Sequence, residues 1–180
     1  MTEYIVTMDL SRVAKITLCF EKDYNGNERS IKMIKETIKI TGKVKIELFG
    51  PDGGLKDLRE IKNLIVTAGL NHIADQMSDQ GEDVMSHVAI GTGTTAAAVG
   101  NTALVTELDR NALTSKTQAT KTVTYIADWA AGDGTGVITE AGILNAAANG
   151  TLLTRIVFAA VNKLANDALR ITWVHTYAAV

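Results

Sequence analysis

Four charged side chains lie inside otherwise apolar stretches, and their types are those that could do chemistry. Glu107 and Arg110 belong to TELDR, Glu140 belongs to VITEAGIL, and Arg155 belongs to TLLTRIVF. Because removing water from a charge costs several kcal/mol, charges embedded in strand-like segments are seldom left unpaired. Two carboxylates could also serve as general acid and base. Two arginines accompany them without a histidine or a polar cluster, so the pattern favours structural ion pairs.

A glycine-rich segment, AIGTGTTAAAVGN at 89–101, superficially suggests a phosphate-binding loop. A Walker motif requires Gly-Lys-Ser/Thr, and the sequence has no lysine between Lys62 and Lys116. We therefore interpret the segment as a wide loop leaving a strand, with small residues that allow close backbone approach to a neighbouring segment or subunit. No cofactor is expected. The candidate assembly residues are Gly91, Thr92, Gly93, Thr94 and Asn101.

The remaining reactive residue types lack the spacing of known sites. His72, His87 and His175 lie on separate predicted elements without HxH, HxxxH or HExxH spacing, so each is expected to be a hydrogen-bonded structural histidine, with His72 on the polar flank of a helix. Cys19, between Leu18 and Phe20, is expected to be a buried small hydrophobe. The acidic stretch DQGED at 79–83 lacks the ligand pattern of a calcium loop and is interpreted as solvated.

The composition narrows the class of protein. The chain has 180 residues, one Pro, one Cys and a net charge of -2, which excludes a disulfide scaffold and disfavours a polyanion binder. We expect no nucleic-acid partner. No apolar run reaches the roughly 20 residues of a membrane span, and MTEYIVTMDLSR lacks the order of a secretory signal. The expectation is therefore a protein made in the cytoplasm without a membrane partner.

A change in composition near residue 62 predicts two regions. Residues 1–62 carry 12 of the 18 Lys and Arg and 10 of the 20 Asp and Glu, hence a net charge of +2, whereas residues 63–180 carry -4. Alternating segments at 4–10, 13–21, 31–40 and 43–49, with a returning strand at 58–62, predict an N-terminal β arm and hairpin region at 1–62. Residues 63–180 are predicted to form a separate region.

The second region combines one predicted helix with many short strands. Asn63 is predicted to cap an amphipathic helix near 64–78, whose apolar face consists of Val66, Leu70, Ile73, Ala74 and Met77. Strands are predicted at 85–91, 103–113, 122–129, 137–144, 151–158 and 169–177. Gly-, Asn- and Asp-rich loops join them at a spacing typical of β-sandwiches. The fold class is therefore mainly β, an antiparallel β-sandwich or jelly-roll-like fold.

Several of these segments together resemble a group of tailed-bacteriophage virion structural proteins, often labelled tail-fibre, virion or decoration proteins. The resemblance covers about residues 61–177 and rests on the AGLN centre of the helix, the IGTGTT loop, TEL followed by Arg110, the TEAG turn and the ITW of the last strand. It implies a non-enzymatic virion component built for assembly, with other capsid or tail subunits as partners. It also implies a homo-oligomer, most often a trimer.

Alternatives remain open within this interpretation. The compact size favours a capsid-surface decoration or collar-type protein over a tail-tip or tail-fibre position. A virion-borne hydrolase would use Glu107 and Glu140, and a glycan-binding module would stack sugars on Trp129, Tyr125 and Trp173, although their alternation with apolar residues favours the core. The alanine-rich second region predicts oligomerisation, and residues 1–40 are expected to make contacts between subunits.

Overall fold

Antiparallel β-strands dominate the protein, at 56% of the chain against 8% helix, which confirms the predicted mainly β fold. The structure is a computed structural model that describes the backbone of residues 4–10, 14–22, 28–31 and 38–179, and the side chains of residues 38–179. The chain divides into two compact units, residues 1–38 with 179–180, and residues 39–178.

The first unit contains a three-stranded antiparallel sheet. Its strands are β1 (Tyr4–Leu10), β2 (Ala14–Lys22) and β3 (Glu28–Ile31), in the order β1-β2-β3. The first two correspond to the predicted strands at 4–10 and 13–21. The predicted strand at 31–40 includes residues 32–37, and the predicted burial of Cys19 concerns its side chain; both lie outside the described residues.

The second unit is built from two five-stranded sheets. The first sheet consists of β4 (Ile38–Phe49), β5 (Leu55–Lys62), β9 (Ser115–Ala119), β10 (Thr122–Trp129) and β13 (Ala168–Ala179). Their order across the sheet is β5-β4-β13-β10-β9. The second sheet consists of β6 (Leu64–Ile65), β7 (His87–Gly91), β8 (Glu107–Ala112), β11 (Gly136–Leu144) and β12 (Leu152–Lys163). Their order across the sheet is β6-β12-β11-β7-β8.

The main core lies between these sheets because each strand turns alternate apolar side chains inward. Ile46 of the first sheet and Ile143 of the second are buried in it, together with Trp129 and Trp173. A smaller apolar cluster covers the other face of the second sheet. Its members are Val66, Ala89, Leu104, Leu144 and Leu152. As a result, β11 is buried on both faces from Ile138 to Leu144.

The chain changes sheet at a corner on each side of the sandwich. On one side Asn63 joins β5 to β6, and its side-chain amide lies 2.5 Å from Thr154 Oγ1 and 3.0 Å from His175 Nε2. On the other side residues 113–114 join β8 to β9. The composition change near residue 62 therefore coincides with a change of sheet inside the second unit, so β4 and β5 belong to the sandwich.

The helix α1 (Thr67–Ser78) differs from its prediction in its cap and in part of its buried face. Its N-cap is Val66, without a side-chain cap, so the predicted capping by Asn63 is wrong. Two residues of the predicted apolar face are confirmed, since Val66 is buried and Ile73 packs against the main core, but Leu70 and Met77 are 51% and 82% exposed. Within the helix the buried residues are Gly69 and His72. A Cβ at Gly69 would lie 2.1 Å from the carbonyl oxygen of Leu153, so the glycine permits backbone contact with β12.

The helix contains 12 residues, and no helix in the described part of the chain is long and apolar enough to span a membrane.

Candidate functional site

A fully buried ion pair is centred on Glu140 in the middle of β11. The register of the ladder with β12 shifts between Ile138 and Glu140, because Thr139 alone lies opposite residues 158–160 of β12. Thr139 donates its hydroxyl hydrogen to the carbonyl oxygen of Gly93 at 2.9 Å. Glu140 faces the smaller apolar cluster and the 92–106 loop, and its side chain is 0% exposed. A buried carboxylate in this position requires hydrogen-bond donors on every side.

Backbone amides of the 92–106 loop supply three of those donors. Oε1 accepts hydrogen bonds from the amides of Gly93 at 3.0 Å and Thr106 at 2.7 Å, and Oε2 accepts one from Val105 at 3.1 Å. A Cβ at Gly93 would lie 2.3 Å from Oε1. A side chain there would displace the carboxylate, so Gly93 is needed for close approach.

Arg155 of β12 completes the site. Its Nε and Nη2 atoms lie 2.8 and 2.7 Å from Oε2 of Glu140, and the Arg155 side chain is also 0% exposed. The guanidinium further donates to the carbonyl oxygen of Thr95 at 2.9 Å and to Oδ1 of Asn101 at 3.0 Å. Gly142, opposite Arg155 in the ladder, has no side chain on this face. The pair therefore clamps both ends of the loop onto the second sheet.

The protonation state of Glu140 follows from competing effects. Burial alone raises the pKa of its carboxyl group, but the hydrogen bonds from Thr106, Val105 and Arg155 outweigh that effect and hold the pKa below its usual value. The group is therefore ionised at neutral pH. With no exposed surface and both oxygens engaged, Glu140 fixes the backbone of the loop and has no position from which to transfer a proton to a substrate.

Glu107 and Arg110 form a second, separate pair on β8. Arg110 donates from Nε at 2.8 Å and Nη2 at 2.7 Å to the two carboxylate oxygens of Glu107, the parallel geometry of a strong pair. Its Nη1 donates to the carbonyl oxygens of Ala146 and Asn149, which fixes the β11–β12 loop. The pair borders an open cleft of about 550 Å3. The structure thus brings the four predicted charges together as two pairs.

The predicted assembly residues are split between the interior and the surface. Gly91 ends β7 and is buried, as is Gly93 beneath Glu140. Asn101 is half-buried, and its Oδ1 accepts from Ala98 as well as Arg155. Thr92 and Thr94 are the exposed members of the set. Three of the five residues therefore build the base of the loop, and two are accessible on its surface.

The three histidines occupy separate structural positions. His72 is buried, with Nδ1 2.8 Å from Glu82 Oε2, so its predicted place on the polar flank of the helix is wrong. That hydrogen bond from His72 lowers the pKa of the Glu82 carboxyl group. His87 Nδ1 lies 2.8 Å from Ser86 Oγ. Residues 79–84, which include the acidic stretch, are exposed, and no metal-binding group of three His, Cys, Asp or Glu occurs among the described residues.

His175 is fully buried between the two sheets. Asn63 Nδ2 lies 3.0 Å from its Nε2, and its ring meets the ring of Tyr125 edge-on at 5.7 Å between centroids. Burial lowers the pKa of the imidazole to about 4, so the ring is neutral at physiological pH. With a neutral ring, Nε2 accepts a hydrogen bond from the Asn63 amide and joins the corner to β13.

A buried lysine was missed from the sequence. Lys163 is 1% exposed and donates to the carbonyl oxygens of Ala130 at 2.9 Å and Asp167 at 2.7 Å. Burial lowers the pKa of its ammonium group. The Asp167 carboxylate in turn lies 2.7 Å from Lys56 Nζ. The sequence signal was a lysine followed four residues later by an aspartate across a turn.

The aromatic residues considered for sugar binding are in the core. Trp129 and Trp173 are 0% exposed and Tyr125 is 7% exposed.

Comparison of the chain with protein-family models, with curated proteins and with solved structures finds no match in any of the three.

Proposed function

We propose that this protein is a non-enzymatic structural component of a tailed-phage virion, a capsid-surface decoration or collar-type protein that assembles as a homo-oligomer. The observation that carries the proposal is the buried Glu140–Arg155 pair, which holds the 92–106 loop in place. This fully buried ion pair thus organises a surface loop. A fixed, exposed loop of this kind suits protein contact.

The residues that carry the resemblance have related roles in the fold. Gly69 of AGLN lets the helix touch β12, and Gly93 of IGTGTT lets the loop touch Glu140 of TEAG. Glu107 and Arg110 of TEL-x-R fix the β11–β12 loop. Motifs that fix backbone geometry support a framework role over catalysis.

The two rival functions receive less support from the geometry. A hydrolase acid pair needs carboxyl groups open to substrate and water. Glu140 has no exposed surface, and Glu107 is bound through both oxygens to Arg110. A glycan-binding module needs exposed aromatic faces, but Trp129 and Trp173 are fully buried. These placements favour a structural protein over either rival.

Exposed apolar side chains on the loop support assembly. Val99 is 60% exposed and Val105 is 51% exposed. The amide of Val105 is bonded to Glu140, and the carbonyl oxygen of Val99 accepts a hydrogen bond from the Thr67 amide at 2.7 Å. Ordered apolar side chains lose little further entropy on binding, which favours contact with a neighbouring subunit. The role proposed for residues 1–40 concerns side chains outside the described ones and stays a prediction.

The test is the composition of purified virus particles. We expect mass spectrometry to find the full chain in gradient-purified virions in multiple copies, and immunogold labelling to place it on the capsid surface or collar. Labelling of the tail would refute the capsid position. A chain that is abundant in the infected-cell lysate but missing from purified particles would refute a virion role. Cell-wall release by the parent protein that is lost in Glu107→Gln would favour the hydrolase instead.

A further inference from the structure

Lysines are concentrated on the outer face of the first sheet. Lys43, Lys45 and Lys62, here called the lysine face, line a shallow cavity of about 400 Å3 on β4 and β5, together with Glu60. Thr172 and Val174 of β13 also line this cavity. Lys43 and Lys62 are exposed. The surface therefore combines positive charge with a partly apolar recess.

Two of these lysines lie opposite one another without an ion pair to any other residue whose side chain the structure describes. Lys43 and Lys62 are direct cross-strand partners in the β4–β5 ladder. Like charges placed directly opposite one another destabilise a sheet. Lys45 has Glu47 at 2.7 Å, but neither Lys43 nor Lys62 forms an ion pair with another residue of the 38–179 segment. An anionic partner would relieve this repulsion.

A negative surface of matching character follows α1. The acidic helix end, defined as Asp79 and Asp83, is exposed, and neither residue forms an ion pair with another described residue. Asp79 is the C-cap of the helix, whose last turn has no basic residue. A helix C-terminus carries partial negative charge, so an acidic cap there is unfavourable. The sequence has no Lys or Arg between Lys62 and Arg110 to offset it.

We propose that the lysine face of one copy docks onto the acidic helix end of a second copy, head to tail. The inference deepens the proposed function, since it specifies how the homo-oligomer forms. Among the described residues each surface carries an electrostatic cost, and contact between the two surfaces offsets both costs. Because the two surfaces are different, the contact is heterologous and generates a ring when the rotation closes. A trimer is one such ring.

Sedimentation velocity of the full chain tests the contact. We expect the parent protein to self-associate at low ionic strength and to dissociate as salt rises from about 0.01 M to about 1 M, over which the Debye length falls from about 30 Å to about 3 Å. The double variant Lys43→Glu/Lys62→Glu should be monomeric alone, and so should Asp79→Lys/Asp83→Lys. Mixed in equal amounts they should associate, because each reversed surface then meets a complementary one.

Matched controls separate this contact from general charge effects. Lys116→Glu/Lys121→Glu changes the net charge by the same amount as Lys43→Glu/Lys62→Glu at two other exposed positions, and it should associate as the parent does. Thermal melts must show that each variant is folded. A mixture of the two reversed variants that stays monomeric overturns the proposal, as does a parent protein that is monomeric at about 100 µM in low salt.

Binding of a ligand other than a second copy to the lysine face would give a different set of results. Binding of a single-stranded oligonucleotide that Lys43→Glu/Lys62→Glu abolishes, without self-association of the parent, overturns the proposal in favour of a polyanion. Virion membership is measured separately, by finding the parent chain in purified particles. Failure of the head-to-tail contact therefore leaves that result standing, and failure of virion membership leaves the sedimentation result standing.

Discussion

Replacing Arg155 with Met should destabilise the protein strongly, because it removes the guanidinium that lies 2.7 Å from the buried Glu140 carboxylate. Breaking a buried pair by removing one partner costs about 3–5 kcal/mol. The lower part of that range applies here, since three backbone amides still donate to Glu140 in the variant. For a chain of this length, a loss of about 3 kcal/mol corresponds to a fall in Tm of about 6–12 °C.

The loss of stability caused by Arg155→Met should become smaller as the pH falls. In the parent, the pKa of Glu140 lies below its usual value, so its contribution to stability is present above the unfolded-state pKa and is lost as pH falls through the folded-state pKa. In the variant, burial still raises the pKa of Glu140, but the hydrogen bond and positive charge of Arg155, which lowered this pKa, are gone. Protonation then relieves the stranded charge. The difference in Tm between parent and variant should therefore shrink from pH 7 to about pH 4.

Thermal and urea unfolding followed by circular dichroism would measure both effects, with Arg170→Met as the matched control. Arg170 pairs with Asp128 at 2.7 Å, but the two side chains are 48% and 32% exposed. Loss of such a surface pair should cost less than about 1 kcal/mol. Equal melting of the two variants at pH 7 would refute the structural role given to Glu140 and Arg155. So would a difference in Tm that stays constant with pH.

Three further results are expected from the fold. Gly69→Ala should lower Tm despite the better helix propensity of alanine, because the new Cβ meets the β12 backbone, whereas Gly100→Ala, with open space around it, should not; equal Tm values would contradict the close contact. Because the pKa of His175 is about 4 when folded against 6.5 normally, stability should fall by up to about 3 kcal/mol as pH drops through this interval, and His175→Gln should flatten the profile; an unchanged profile would exclude this origin. Fluorescence of Trp129 and Trp173 should be protected from iodide until unfolding, so quenching in the native state would place a tryptophan outside the core.

Period-two patterns predicted the sandwich well because most strands bury one face. The edge strand β9 was missed because its sequence, SKTQA, contains no large apolar residue. Its ladder with β10 forms through backbone hydrogen bonds, and four of its five residues are exposed. A strand at the edge of a sheet can thus form with almost no hydrophobic signal in its sequence.

The buried face of α1 was predicted only in part, for a different reason. Hydrophobicity assigned the buried face to residues such as Leu70 and Met77, but the closest contact to β12 is made by Gly69. A glycine has no side chain, so it contributes nothing to an amphipathic pattern. Its missing Cβ nevertheless allows two backbones to come into close contact. The helix consequently buries Gly69 and His72 next to the predicted Ile73, with His72 hydrogen-bonded to Glu82.

The Glu140–Arg155 site shows both the reach and the limit of sequence reasoning. The rule that charges in apolar strands need partners identified the right residue types. The pairing depends on the bulge in β12 opposite Thr139 and on Gly142 opposite Arg155, which are features of strand register. The inward role of Gly93 also depends on this register. No local sequence pattern encodes which of two glutamates meets which arginine.

The position of Glu140 also constrains the order in which the chain folds. The carboxylate accepts hydrogen bonds from Gly93 and Thr106, which lie 47 and 34 residues earlier in the chain, whereas Arg155 is 15 residues later. Contacts of such long sequence separation form slowly, after the local β11–β12 hairpin has brought Glu140 and Arg155 together. During synthesis the 92–106 loop therefore leaves the ribosome well before the residues that order it. We therefore expect its backbone amides to stay solvated until that hairpin docks on β7.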